Sequence, residues 1–121
     1  MDWEPISEAR LWDDINGAFE RMSPEQRKIW DIIKILPEKW QQDPWGNEGN
    51  GFWVVGIIGK SIIWFNDIED GYNQSTYTKY GTINDYWCNQ DELEWAVQNV
   101  INILRDGYDS AGRMGAPQPI A

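Results

Sequence analysis

Histidine is absent from this 121-residue chain. Its absence removes the commonest general base, the commonest metal ligand and every His-dependent catalytic triad. Cysteine occurs once, as Cys88, so no intrachain disulfide can form and the multi-cysteine zinc patterns are excluded. Bases are scarce: 10 Lys and Arg stand against 20 Asp and Glu, a formal net charge of -10. A field of that sign repels nucleic acid and anionic membrane surfaces, and favours a basic partner or simply solubility. No apolar run reaches transmembrane length. The acidic start Met1-Asp2-Trp3-Glu4 has no apolar signal-peptide core behind it. A cytoplasmic protein is therefore expected, with no membrane and no nucleic acid among its partners. The sequence contains no internal repeat.

What is present describes one ordinary globular domain, with 41% hydrophobic and 25% charged residues. Nine tryptophans are many for this length. Some must be core, and the excess points to exposed aromatics at a binding surface.

The chain is organised around Gly51 to Asn73. Phe52–Ile58 and Ile62–Phe65 are its two long apolar runs, rich in β-branched and aromatic residues and joined by Gly59-Lys60. That pattern predicts a β-hairpin, with Gly59 at the positive-φ position of a type II′ turn. A two-residue turn pairs Ile57 with Ile62, Val55 with Trp64 and Trp53 with Asn66. On the other side it pairs Gly56 with Ile63, Val54 with Phe65 and Phe52 with Asp67. Both faces are apolar near the turn, so both must be covered.

Around the hairpin, Ser7 to Met22 reads as a helix with Ser7 as N-cap and Leu11, Ile15, Ala18, Phe19 and Met22 on one face. Ser23-Pro24-Glu25-Gln26 opens a second helix with a capping box. Ile29, Ile32, Ile33 and Leu36 form its expected apolar face, Trp30 its edge and Pro37 its end. Glu38 to Asn50 reads as a polar loop whose Trp40 and Trp45 tuck onto the core. Gln74 to Tyr80 reads as an outer strand guarded by Lys79, and Thr82 to Trp87 as a further short strand. Asn89 to Asp106 reads as a helix capped by Asn89 and Glu92 and stopped by Gly107. Leu93, Ala96, Val97, Val100, Ile101 and Leu104 make its apolar face, and Trp95 on the opposite side is the best candidate for an exposed aromatic. The expected fold is α+β: an N-terminal helical pair, a central antiparallel sheet of about three to four strands built on the hairpin, and a C-terminal helix packed on the sheet. Residues 1–107 form the expected single domain and 108–121 a flexible C-terminal tail.

Chemistry finds little support. Cys88 lacks a histidine base, so a structural thiol is the better reading. With Gly71 in the sixth position of a calcium loop, Ile68 would fall at the third and Tyr77 at the twelfth, where oxygen ligands are required. Gly56-Ile57-Ile58-Gly59-Lys60-Ser61 ends like a phosphate-binding loop, but the glycines are too close and a strand follows instead of a helix. No catalytic, metal or cofactor residue is assigned, and the protein is expected not to be an enzyme. A glycosidase built on paired carboxylates would want a larger cleft.

The informative window is Asn66 to Trp95. Asp67, Glu69, Asp70, Asp85, Asp91, Glu92 and Glu94 are opposed by Lys79 alone; seven acids less one base leave -6. Tyr72, Tyr77, Tyr80, Tyr86, Trp87 and Trp95 lie in the same window. Acids steer a basic protein partner and aromatics anchor it. The partner-binding candidates are Asp67, Glu69, Asp70, Tyr72, Asp85, Trp87, Asp91, Glu92 and Trp95. Asp91, Glu92 and Glu94 also suit a helix first turn, and the Asp70-Gly71 turn also suits simple solvation.

The stretches Trp64-Phe65-Asn66-Asp67-Ile68-Glu69-Asp70-Gly71-Tyr72-Asn73 and Tyr86-Trp87-Cys88-Asn89-Gln90-Asp91-Glu92-Leu93 resemble small bacterial immunity proteins. These neutralise toxins of polymorphic or contact-dependent growth inhibition systems. The resemblance spans Phe52 to Leu104. It implies a cytoplasmic, non-enzymatic protein that binds one cognate toxin domain and blocks it, often a nuclease with a basic cleft. Two other readings stay open: a carbohydrate-binding module using exposed tryptophans beside Asp, Asn and Gln, and a small acidic protein-interaction domain of another role.

Overall fold

The computed structural model describes residues 4–46, 50–109 and 111–116. The chain runs α1 (Glu8–Arg21), α2 (Pro24–Ile33), β1 (Lys34–Trp40), β2 (Phe52–Ile58), β3 (Ser61–Asn66), β4 (Gly71–Thr76) and α3 (Leu93–Asp106). The four strands form one antiparallel meander in the order β1-β2-β3-β4. The fold is α+β, with the helices on one face of the sheet.

Local signals set both N-terminal helices. The Ser7 hydroxyl accepts the Arg10 amide, and Ser23 and Gln26 form the reciprocal capping box. Leu11, Ile15, Ala18 and Met22 are buried as the 3.6-residue spacing requires. The second helix departs from expectation. It ends at Ile33, and Lys34 is already extended at φ -64 and ψ 145. Residues 34–40 become an edge strand on β2 rather than a last helical turn and a loop. Trp30 and Ile33 face the core, whereas Ile32 and Leu36 are 77% and 79% exposed. Pro37 is tolerated because its missing N–H falls on a bulged edge strand.

The hairpin turn is as expected, with Gly59 at φ 58 and Ile58 opposite Ser61. Ile57 faces Ile62 and Gly56 faces Ile63, but beyond them Val54 faces Trp64 and Trp53 faces Phe65. A bulge at Val55 shifts the expected register by one residue. β4 starts three residues earlier than expected, at Gly71, and stops at Thr76, so Tyr77 to Tyr80 and Lys79 lie outside it. Thr82 to Trp87 forms no strand; it contributes a single bridge from Thr82 to Gln41.

Two cores sandwich the sheet. Val55, Ile63, Phe65 and Tyr72 meet the three helices. Trp40, Phe52, Val54, Ile62 and Trp64 meet Ile83, Tyr77 and Tyr86, so a crossing loop instead of a helix covers the second face. Trp40 is fully buried against Tyr77 and Tyr80, and Trp45 stacks on Tyr86 with ring centroids 5.0 Å apart. Trp40 is thus core, at the end of β1, whereas Trp45 stacks on Tyr86 and stays 41% exposed.

α3 is capped at Glu92 without a side-chain hydrogen bond, and Asn89 is not its cap. The helix buries Leu93, Ala96, Val97, Val100 and Ile101, and Gly107 closes it at φ 83. Leu104, in the last turn, is exposed. The segment after α3 returns to the domain. Met114 donates to the Asn89 side chain, its carbonyl accepts from the Cys88 amide, and Asn89 Nδ2 donates to the Gly112 carbonyl. Residues 117–121 of the expected tail lie outside the described residues.

Candidate functional site

The turn between β3 and β4 is built on Asn66, which is wholly buried. Its carbonyl oxygen accepts the amides of Ile68 and Glu69, and its amide donates to the Trp87 carbonyl at 2.9 Å. One side chain therefore holds the acidic turn and the segment entering α3 together. Asp70 takes φ 60, a conformation that aspartate tolerates better than most residues. Gly71 then begins β4 in direct contact with Asn89 and Gln90. Gln90 donates to the Glu69 carbonyl at 3.0 Å, and Asn73 makes paired bonds with the Asn89 backbone at 2.8 and 3.1 Å. The turn and the acidic start of α3, separate in sequence, thus lie side by side.

Tyr72 corrects one expectation. It is 2% exposed and is no surface contact. Its hydroxyl donates to Asp14 Oδ2 at 2.7 Å, and its amide donates to the Asp91 carbonyl at 2.8 Å. Burial, reinforced by the Asp14 carboxylate, drives its hydroxyl pKa far up, so it stays a donor. Tyr72 instead links α1 to the segment before α3. Asp13, Asp14 and Asp70 line one shallow concavity with Arg10 and Phe65. Arg21, in the last turn of α1, pairs with Glu92 at 2.8 Å and Glu94 at 2.6 Å and also feels Asp14. Burial alone would raise the Glu94 carboxyl; the hydrogen bonds and charge of Arg21 outweigh it and hold the group below its usual range.

The result is one acidic face. Asp13, Asp14, Asp70, Asp91 and Glu92 are exposed on it and Glu69 is partly so, with Arg10 and Arg21 beside them. Asp13 and Asp14 were not singled out from the sequence. Their signal there was only a polar flank of the α1 stripe; what makes them part of a site is β4 crossing behind them.

Asp67 lies at the margin of this face, in a neighbouring concavity that it lines with Asp70 and Arg10. Asp67 turns toward the N-terminal segment: Oδ2 accepts the Ile6 amide at 2.8 Å, while Oδ1 is buried without a partner. Burial raises its carboxyl pKa, against the pull of the Ile6 bond and the Lys39 charge. A carboxylate whose pKa is raised by folding binds protons more tightly in the folded state, so its ionisation costs stability as pH rises above the unfolded value of 3.8. Asp67→Asn should therefore gain on the native protein between about pH 3 and about pH 6. Urea midpoints of both proteins at the two pH values check this; a gap that does not change with pH would contradict it.

Asp85 sits at the far end of β4, where its carboxylate accepts the Thr76 amide and hydroxyl. Trp87 lines a separate concavity with Asp85, Asp109 and Arg113. Neither joins the acidic face. Trp95 is 59% exposed, as expected, in a groove between α3 and β4. Burial raises the Cys88 thiol, which suits a structural cysteine better than a nucleophile, and burial pushes neighbouring Tyr86 up to about 12. Among the described residues, no three carboxylate or thiol groups are placed to hold a metal ion, and no helix is long and apolar enough to cross a membrane. No protein-family model, curated protein or solved structure matches the chain.

Proposed function

We propose that this chain is an immunity-type protein that binds a cognate basic bacterial toxin domain in the cytoplasm and blocks it, with no catalysis of its own. The observation that carries the reading is the joining of Asp13 and Asp14 to Asp70, Asp91 and Glu92 on one face, over the buried Tyr72. Two properties of that face support it. Its charge adds to a net -10, which speeds encounter with a basic cleft. Its acids sit on the capped helix α1, on a hydrogen-bonded turn and on the segment that turn bonds to, so little ordering cost remains to be met on binding. A nuclease cleft, basic because it holds a phosphate backbone, is the complementary surface.

The test is co-expression with the toxin domain encoded beside this gene. The expected result is survival of the host and co-purification of the pair. Loss of protection with unimpaired folding is expected for the Asp13→Lys, Asp70→Asn double variant, since asparagine also tolerates the φ 60 turn. Failure of the native chain to protect or co-purify would count against the reading.

A further inference from the structure

The exposed Trp95 does not stand alone. Gln98 and Asn99 lie three and four residues after Trp95, and Asn102 three and four after them, so the four form a single stripe along α3. The stripe walls a groove of about 530 Å³. Gln74 of β4 lies across from it, and residues 111–113 close the third side. Asn89 fixes that third wall by bonding to both Gly112 and Met114.

The amides in this groove are only partly used. Asn99 donates to Gln74 at 3.0 Å; Gln98 donates to Asn102 at 3.0 Å and accepts from Gln26. Among the described residues, Gln74 Nε2, Asn99 Oδ1 and Asn102 Nδ2 have no protein partner. The two charged residues of the wall are already engaged: Asp91 accepts from Asn89, and Arg113 pairs with Asp109. A ligand entering the groove therefore meets mainly neutral amide donors and acceptors beside one indole, with the Asp91 carboxylate at the rim as a further acceptor.

We propose that this groove binds a neutral saccharide, stacked on Trp95 and hydrogen-bonded by the Gln74, Asn99 and Asn102 amides. A side-chain amide offers a donor and an acceptor on one planar fork, which matches adjacent sugar hydroxyls. The C–H face of a pyranose ring is apolar and fits an exposed indole. The volume lies within the usual range for small-molecule sites. Competing ligands suit the site less well. An extended peptide would need a run of open strand edge, and both ends of the β4 edge are taken, by the bonds from Tyr72 to Asp91 and from Thr76 to Asp85. A nucleic acid would need free cations and would meet a net charge of -10. The groove adjoins the acidic face at Asp91, but its amides and Trp95 lie outside that face, so the proposal does not rest on the toxin-binding reading.

The test titrates ¹⁵N-labelled protein with neutral oligosaccharides built on glucose, N-acetylglucosamine and mannose, each up to about 10 mM. The Trp95 indole resonance is assigned by its loss in Trp95→Phe. The expected result is a saturable shift, with at least one saccharide, of that resonance and of the Gln74 and Asn99 backbone amides, which report binding in the variants. Trp95→Ala should weaken binding at least about tenfold, Asn99→Ala with Asn102→Ala by a similar factor, and Trp95→Tyr by less than about threefold. Trp95 is exposed, so its variants leave the core intact. No shift with any member of the panel, or a shift that survives Trp95→Ala, would overturn the proposal.

Discussion

Gly71→Ala is expected to destabilise the protein by about 3 kcal/mol, the upper end of the usual cost of overpacking. A Cβ at Gly71 would lie well inside van der Waals contact with Gln90 Cα and Asn89 O, and 2.7 Å from Gln90 C. All three are main-chain atoms, and a rotamer change cannot move them. The segment 89–91 would have to leave β4, and with it the Tyr72 amide bond to Asp91 and the paired Asn73–Asn89 bonds. Urea denaturation measures the loss, and faster exchange of the Tyr72 amide locates it. Gly59→Ala is the control. Its Cβ would meet nothing within 4 Å, so only the strain of φ 58 remains, about 1 kcal/mol. Equal midpoints for the two variants would contradict the packing described for Gly71.

Asn66→Ala should cost about 3 to 4 kcal/mol, because a buried amide serves three backbone groups at once. The Ile68 and Glu69 amides lose their acceptor and the Trp87 carbonyl loses its donor. Asn66→Asp separates the two halves. The carboxylate still accepts from both amides, but it faces the Trp87 carbonyl with no proton to give. Protonation restores a donor, so folding raises the pKa of this new carboxyl. Its penalty should therefore be large at neutral pH and shrink as pH falls toward the carboxylate range. Thermal melts at about pH 7 and about pH 4 check the sign. A penalty independent of pH would mean that the turn is held mainly by its amide bonds.

What was legible in the sequence was local. Ser7, Ser23 with Gln26, and Gly107 marked helix ends through hydrogen bonds made within a few residues. The α1 and α3 core faces followed their 3.6-residue spacing. β1 was hidden because Ile29, Ile32, Ile33 and Leu36 imitate a helical stripe. Only pairing with β2, some twenty residues away, decides for a strand. The bulge at Val55 was invisible to a period of two; Gly56 inside an apolar strand was its one hint. Asn89 resembled a cap because Glu92 follows three residues on. Its side chain is instead taken by the returning segment at Gly112 and Met114.

The site divides in the same way. The acid of the Asp67–Asp70 turn and of the α3 start could be counted from the sequence, and they do meet. Tyr72 was misplaced because aromatic composition does not say which face of a strand a residue takes. Its register opposite Phe65 turns it into the helix-covered core. Asp13 and Asp14 entered through that same residue. Asp85 fell away because β4 carries it to the other end of the sheet, beside Thr76. A site made from α1, a β-turn and a helix start exists only after the chain has folded, and no short window contains it.

The central claim is that the face joining Asp13, Asp14, Asp70, Asp91 and Glu92 is the toxin-binding surface. Isothermal titration of the purified chain with the basic toxin domain proposed as its partner, held catalytically inactive, tests it most directly. Asp13→Lys with Asp70→Asn should weaken binding at least about 30-fold and flatten its dependence on salt, whereas Glu25→Lys on α2 should change it less than about threefold. Unchanged affinity in the double variant, with circular dichroism confirming its fold, would contradict the claim.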